Sequence, residues 1–458
     1  MLVSSLAKKI NAIQLGEDVE FSRVSTDTRT LQPGDFFVAL KGERFDGHEY
    51  VELARQSGAV AAMVSDKVDA ELTLVQVADT RLGLGALGRI WAAQYSAKKV
   101  AITGSSGKTT VKEMVASICS LVGPTLFTEG NLNNDIGVPL TLCRLTNQHR
   151  FAIIELGANH VGEIAYASAL VAADIALVNN VGVAHLEGFG SRERIAQAKS
   201  EIYATLAAGK SAVINLDDAF AEFLMQQAQH THCTTYSMKG GSADVHLLDC
   251  HMNALGQYQF TASVLGSQVT VELQLIGRHN VANALAAMTI AHLAGCSPND
   301  ISKGLAQVKA VPGRLRVVEE LSDCNVIDDT YNANPDSMHS AIDVLCSLPG
   351  ETCLVLGGMA ELGPEGRSLH QQVGRYAADK GIKTVFAVGE AASLYREGFL
   401  AGSPNGVFVT AQNHQRLAED LYANHQDKTI LIKGSRSAQM EKVIERMLGC
   451  QQAKRGNQ

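Results

Sequence analysis

The chain of 458 residues has a single tryptophan, and its aromatic residues amount to only 5%. A protein that stacks bases along an aromatic surface needs more rings than that. An excess of positive charge is also missing: Lys plus Arg is 39 against 47 Asp plus Glu, for a formal net charge of −8. That balance excludes a molecule whose main work is gripping nucleic acid or an anionic membrane. No apolar run approaches the roughly 18 residues that read as a membrane helix. The first stretch carries Lys8 and Lys9 without the apolar core of a secretory signal. Cysteines number 9, an odd count, and none stands in a C-x-x-C pair. Reduced thiols in a cytoplasmic protein fit this better than a disulfide framework or a zinc site. There is no internal repeat and no low-complexity tract.

What is present is glycine, 41 residues of it, in a chain whose hydrophobic fraction is an ordinary 46%. Many glycines suit the strand-to-helix turns of an α/β enzyme. At roughly 150 residues per domain, the length suggests about three domains. Strand-length apolar runs at Phe36–Leu40 and Ala59–Val64 mark a first unit, and Asp79-Thr80 can cap a helix running to about Tyr95. Gly266-Ser267 between two strand-like runs predicts a type II′ hairpin. Val311-Pro312-Gly313 reads as a linker. After it come strand-like runs at Val326–Asp328, Cys353–Leu356, Val385–Val388, Val407–Val409 and Ile430–Ile432. The expected fold class is therefore α/β in three domains. Residues 1–80 form a small α/β domain. Residues 81–311 form a central phosphate-loop, ATPase-like domain with a mostly parallel sheet. Residues 312–458 form a Rossmann-like domain.

The strongest motif is Gly104-Ser105-Ser106-Gly107-Lys108-Thr109-Thr110, after the strand Val100–Thr103 and before a helix marked by Val111, Met114, Val115, Ile118 and Val122. Backbone N–H groups at such a helix start point at phosphates, Lys108 supplies a point charge, and the Thr109 hydroxyl suits Mg²⁺. The strict G-x-x-x-x-G-K-[ST] form fails, because Ile102 stands where its first glycine belongs. The bland reading is an ordinary Gly-Ser turn, which Lys-Thr-Thr opening a periodic helix disfavours.

Polar residues then appear where apolar ones are expected. Glu155 ends the strand Phe151–Ile154, at the edge where parallel sheets place their sites. His185 follows another strand and its loop, and could equally be a surface residue. Lys199 lies on the apolar stripe of a helix with Ile195, Ile202 and Leu206. A lysine there either snorkels to water or sits buried with a lowered pKa, able to take up CO₂ as a carbamate. Asn280 is a plausible helix cap, whereas Asn283 falls inside the helix, where it suits a base contact better. Arg314 sits on the linker, placed to bring charge to a phosphate when domains close. Asp328-Asp329 end a strand, where acids commonly meet a ribose hydroxyl, and Asn334 can cap the next helix.

Together these segments resemble the ATP-dependent Mur ligases of bacterial cell-wall synthesis over nearly the whole chain. The general family features are the short phosphate loop, Glu155, His185, Lys199, Asn280 with Asn283, and Arg314. Five further segments are similar to the branch that adds D-Ala-D-Ala: Ser25–Arg29, Gly130–Gly137, Ala184–Glu187, Asp328–Pro335 and Lys433–Ser437. The resemblance implies a monomeric cytoplasmic ligase. It would join D-alanyl-D-alanine to UDP-N-acetylmuramoyl-tripeptide, using ATP, two Mg²⁺ ions and an acyl phosphate. It implies metal binding at Thr109, Glu155, His185 and a carbamylated Lys199, and ATP contacts at residues 104–110, Asn283, Arg314 and Asp329. Lys108, Lys199, His185 and Arg314 would carry the catalysis. Ser25, Asp27, Arg29, Asn133 and Asn134 would meet the UDP-peptide, and Asn332, Asn334, Lys433 and Ser435 the amine. Alternatives are another Mur-type or folylpolyglutamate-type amide ligase or, in a different class, an ATP-gated binding protein.

Overall fold

The computed structural model describes residues 1–43, 45–183 and 186–456. Its strands fall into three sheets in chain order. The first holds β1 (Ile13–Leu15), β2 (Arg23–Ser25), β3 (Asp35–Val38), β4 (Ala61–Val64) and β5 (Thr73–Gln76), in the order β1-β5-β4-β3-β2 with only the β1–β5 pair antiparallel. The helix Thr80–Ala92 follows, and the Asp79 side chain accepts from the Arg81 and Leu82 N–H groups as an N-cap.

The second sheet holds β6 (Lys98–Thr103), β7 (Thr125–Phe127), β8 (Phe151–Glu155), β9 (Ile175–Val178), β10 (Ser211–Asn215), β11 (His232–Ser237), β12 (Val245–Met252), β13 (Gln257–Val264) and β14 (Ser267–Ile276). Their order is β14-β13-β12-β11-β10-β9-β6-β8-β7, parallel from β7 to β12 and antiparallel beyond. Alternation along β6 feeds two cores. Val100 and Ile102 pack with the helices Lys108–Ser120 and His279–Ala294, and Ala101 packs with Leu84, Leu87, Ile195 and Ile202 on the other face. Both faces are covered, as a parallel sheet requires.

The β13–β14 turn corrects the expected type. Val264 pairs with Ser267, so Leu265 and Gly266 are the two central residues, with φ of 44° and 89°. Two positive φ values make a type I′ turn, whose twist matches the flanking strands.

The third sheet holds β15 (Arg316–Val317), β16 (Asn325–Asp329), β17 (Thr352–Leu356), β18 (Thr384–Val388), β19 (Val407–Ala411) and β20 (Thr429–Lys433). Its order is β15-β16-β20-β17-β18-β19, parallel except for the edge strand β15. The fold is three α/β units with mostly parallel sheets. Among the described residues, no helix is long and apolar enough to cross a membrane.

Candidate active site

The order of the second sheet reverses beside β6, which has β9 on one side and β8 on the other. Such a switch point opens a crevice at the carboxyl ends of the strands, and the chain passes there from β6 into the loop Gly104–Gly107. Gly107, at φ +75°, is the N-cap of the helix Lys108–Ser120. A Cβ there would lie 2.6 Å from both Asn179 Nδ2 and Asn283 Oδ1, so glycine is needed for space as well as for φ. The loop is held from the side by the turn after β9. The Ser105 and Ser106 N–H groups donate to Asn180 O and Asn180 Oδ1 at 3.0 and 2.9 Å. Asn179 Nδ2 donates to Ser106 O at 3.0 Å. Ser105 Oγ donates to Gly182 O and accepts from Gly182 N. The first helical N–H groups have no partner within a helix and carry its positive dipole end. Lys108 folds back and donates to Gly104 O at 2.7 Å.

Around this loop the structure gathers Glu155, Lys199, Arg314 and Asn283. Glu155 is the last residue of β8 and is 2% exposed. Its Oε1 accepts from Asn133 Nδ2 at 2.8 Å, while Oε2 is buried without a hydrogen-bond partner among the described residues. Lys199, on the helix Arg192–Ala204, is also 2% exposed and lies 5.9 Å over the Phe189 ring. No ion pair holds it among the described residues. Burial first, and then the charge of Lys108, push its pKa well below the usual lysine value. Burial likewise lowers Lys108, Glu155 opposes that shift, and Arg314 adds to it. The Arg314 guanidinium stacks 4.3 Å over Tyr331, and its Nε is buried without a hydrogen-bond partner among the described residues. Thr109 is buried at the helix start. His185 lies outside the described residues. The Thr109 hydroxyl and the orphaned Glu155 oxygen are hard donors of the kind Mg²⁺ takes, so the residues fit that ion.

The asparagines sit beneath the loop. Asn283 Oδ1 accepts from Asn179 Nδ2 and its Nδ2 donates to Asn280 Oδ1, both at 3.0 Å. Asn280 lies inside the helix His279–Ala294 and donates to Ile276 O at 2.8 Å, so it is not the cap. A small cavity lined by Thr110, Glu113, Leu275, Asn280, Val311 and Arg314 opens beside them.

The remaining expected residues lie elsewhere. In the third unit, Lys433 Nζ donates to Asp329 Oδ2 at 2.6 Å and to Asn332 O at 2.9 Å. The other Asp329 oxygen accepts from Leu315 N, next to Arg314. Asn334 caps the helix Pro335–Ser347 in a capping box with Ser337. Ser435 is buried and 3.0 Å from the Ser437 hydroxyl. In the first unit, Ser25 Oγ donates to Asp27 O, and Arg29 pairs with Asp27 at 2.6 Å. That arginine holds the Asp27 carboxyl down at about 2. Asn134 accepts from Gly137 N at 2.8 Å, at the start of the helix Gly137–Leu142.

Sequence reasoning missed Asn179 and Asn180, although both follow directly on a buried strand, and it missed Asp336. The Asp336 carboxylate accepts from Val183 N at 2.6 Å. Glu187 N donates to Glu361 O at 3.2 Å. The third unit thus meets the central one beside the phosphate loop.

Three family models match the chain: Mur ligase family, catalytic domain, at residues 20–95; Mur ligase middle domain, at 102–291; and Mur ligase, glutamate ligase domain, at 313–436. The chain is 44% identical to UDP-N-acetylmuramoyl-tripeptide–D-alanyl-D-alanine ligase of Escherichia coli (strain K12), covering 96% of this chain and 97% of that one. It is 39% identical to the Haemophilus influenzae protein of the same name, covering 96% of each. The crystal structure of MurF from Acinetobacter baumannii superposes with a TM-score of 0.90 at 37% identity, over 97% of this chain and 98% of that one. MurF from Thermotoga maritima in complex with ADP superposes at 0.83 and 28%, over 93% and 97%.

Proposed function

This chain belongs to the Mur ligase family, and we propose that it joins D-alanyl-D-alanine to the terminal carboxylate of UDP-N-acetylmuramoyl-tripeptide with ATP. The observation that supports this most is the meeting of a phosphate loop with a buried carboxylate, a buried lysine without an ion pair among the described residues, and a hinge arginine from the next unit. The tripeptide carboxylate attacks the γ-phosphorus of ATP, the bond to the β–γ bridging oxygen breaks, and ADP leaves. The amine of D-alanyl-D-alanine attacks the resulting acyl phosphate, loses a proton, and phosphate departs.

Lys108 exchanges the Gly104 carbonyl for a phosphate oxygen, and the helix-start N–H groups hold its neighbours. Arg314 turns its half-buried guanidinium to the transferring group. Asn283 and the cavity beside Arg314 receive the nucleoside, and Asp329 meets the ribose. Thr109, Glu155, His185 and a carbamylated Lys199 would hold two Mg²⁺ ions, which when bound would spread the charge of the phosphates. The Lys199 amine is suited to the carbamate because it is buried and its proton is disfavoured. Its nitrogen bonds the carbon of CO₂ and releases one proton, leaving an anion. Ser25, Asp27, Arg29, Asn133 and Asn134 face the UDP-peptide. Asn332, Asn334, Lys433 and Ser435 face the amine. The Asp336–Val183 contact closes the third unit and shields the acyl phosphate from water. The domains divide at residues 80 and 311, and the enzyme works as a cytoplasmic monomer.

The test is phosphate release with each substrate omitted in turn. Release should require ATP, the UDP-tripeptide and D-alanyl-D-alanine together. Release with ATP alone would instead indicate an ATP-gated binding protein, and release with a different amine would indicate a sibling ligase.

A further inference from the structure

One buried charge in the central unit has no part in the chemistry above. Lys112, on the phosphate-loop helix Lys108–Ser120, is 1% exposed. A lysine this deep persists only when its ammonium is paired and hydrogen-bonded. Lys112 Nζ is held by Glu113 Oε1 at 2.6 Å and by the Thr128 carbonyl at 2.7 Å, and it lies 5.4 Å over the Phe127 ring.

Thr128 is the residue that matters, because it joins this lysine to the carboxylate proposed for the metal. It follows directly on β7, the edge strand beside β8. The ladder between the two strands ends at Phe127 opposite Ile153, two residues short of Glu155. Beyond that point the Glu155 N–H faces no strand. The Thr128 hydroxyl takes the place of the ladder and accepts from Glu155 N at 3.0 Å. Thr128 N donates to Ile153 O at 3.1 Å, which keeps the residue in line with β8. Its own carbonyl would be an orphaned acceptor in a site with no exposure, and Lys112 satisfies it.

We infer that Lys112 is a positioning residue that acts through Thr128 to fix the Glu155 carboxylate at the metal site. The inference rests on the reading of Glu155 as a Mg²⁺ ligand and extends it one shell outward. It explains why the phosphate-loop helix keeps a charged residue on its apolar face, in line with Val115, Ala116 and Cys119. One helix thereby sets both the phosphate cradle and the nearby carboxylate. Outer-shell partners of metal ligands commonly change metal affinity about 10- to 100-fold when removed.

The experiment is a Mg²⁺ titration followed by ADP binding in a calorimeter, which needs no turnover. It is run on the full-length protein and on Lys112→Met, Lys112→Arg, Thr128→Val and Glu155→Gln. The expected result is a Mg²⁺ midpoint raised about tenfold in Lys112→Met and Thr128→Val. ADP affinity without Mg²⁺ should stay unchanged, and Lys112→Arg should recover part of the loss. Thr128→Val keeps the lysine and its carbonyl partner, so it carries the test if Lys112→Met fails to fold. A lower melting temperature with an unshifted Mg²⁺ midpoint in Thr128→Val would overturn the inference and leave Lys112 a structural residue. If Glu155→Gln also leaves the midpoint unmoved, the reading of Glu155 falls and takes this inference with it. If Glu155→Gln moves it and Thr128→Val does not, only the inference falls.

Discussion

Replacing Lys199 by methionine should raise the melting temperature of the protein while abolishing its activity. The lysine is 2% exposed, has no ion pair among the described residues, and carries a pKa driven far below 10.5 by burial and then by Lys108. In the unfolded chain the same amine holds its proton up to about pH 10.4. Between the lowered folded pKa and that value, the unfolded state binds more protons than the folded one, so stability rises with pH. Each pH unit in that window recovers about 1.4 kcal/mol for the lysine protein and nothing for the methionine variant. For a unit of about 150–250 residues, one kcal/mol moves the melting temperature roughly 2–4 °C. The variant should therefore melt above the parent near pH 7.5, and the gap should close by roughly 3–6 °C per pH unit on the way to about pH 9.5. The assay is differential scanning calorimetry of both proteins in CO₂-depleted buffer, with the difference cancelling every other titrating group. Added bicarbonate should then raise the melting temperature of the parent alone. A gap that stays flat with pH would show that Lys199 keeps its proton in the folded state, and the carbamate proposal would lose its physical basis.

Two further outcomes follow from named contacts. Arg314→Ala should lower turnover by about 10²- to 10³-fold, while calorimetry still shows ADP binding; unchanged turnover would return Arg314 to a hinge residue stacked on Tyr331. Lys433→Met removes one partner of the buried pair with Asp329 and should cost about 3–5 kcal/mol of stability, read as a lower-melting transition. Lys433→Met with Asp329→Asn should regain part of that loss, and a double variant no more stable than the single one would contradict the pairing.

Much of this site was legible because its signals are local. The phosphate loop is seven consecutive residues between a strand and a helix. Lys199 betrayed itself by falling on a stripe with period 3.6, and the structure buries it there. Lys112 carries the same signal, three and four residues before Val115 and Ala116. The hairpin type is not legible locally, because the choice between Leu265-Gly266 and Gly266-Ser267 depends on register, which a single strand does not fix. The Asp329–Lys433 pair spans 104 residues and the Asp336–Val183 contact spans 153. Each depends on strand order or on how one unit docks against another. No local pattern encodes either.

The three lysines of the central site show how environment divides one residue type among different tasks. Lys112 has a carboxylate and a carbonyl within 2.7 Å, so its amine is fixed in place, and the task inferred for it is to position Thr128. Among the described residues Lys108 has the Gly104 carbonyl as its hydrogen-bond partner, which a phosphate oxygen would displace, so its charge would pass to the substrate. Lys199 has neither among the described residues, and the charge of Lys108 works against it. A third cation in that space would repel both Lys108 and an incoming divalent ion. The proposed carbamate on Lys199 would remove the conflict by turning a disfavoured cation into an anion. The overall acidity of the chain therefore does not oppose the proposed anionic substrates: Lys108, Arg314 and the helix start would supply the local positive field, and Glu155 with the proposed carbamate on Lys199 would supply the negative donors that a metal needs.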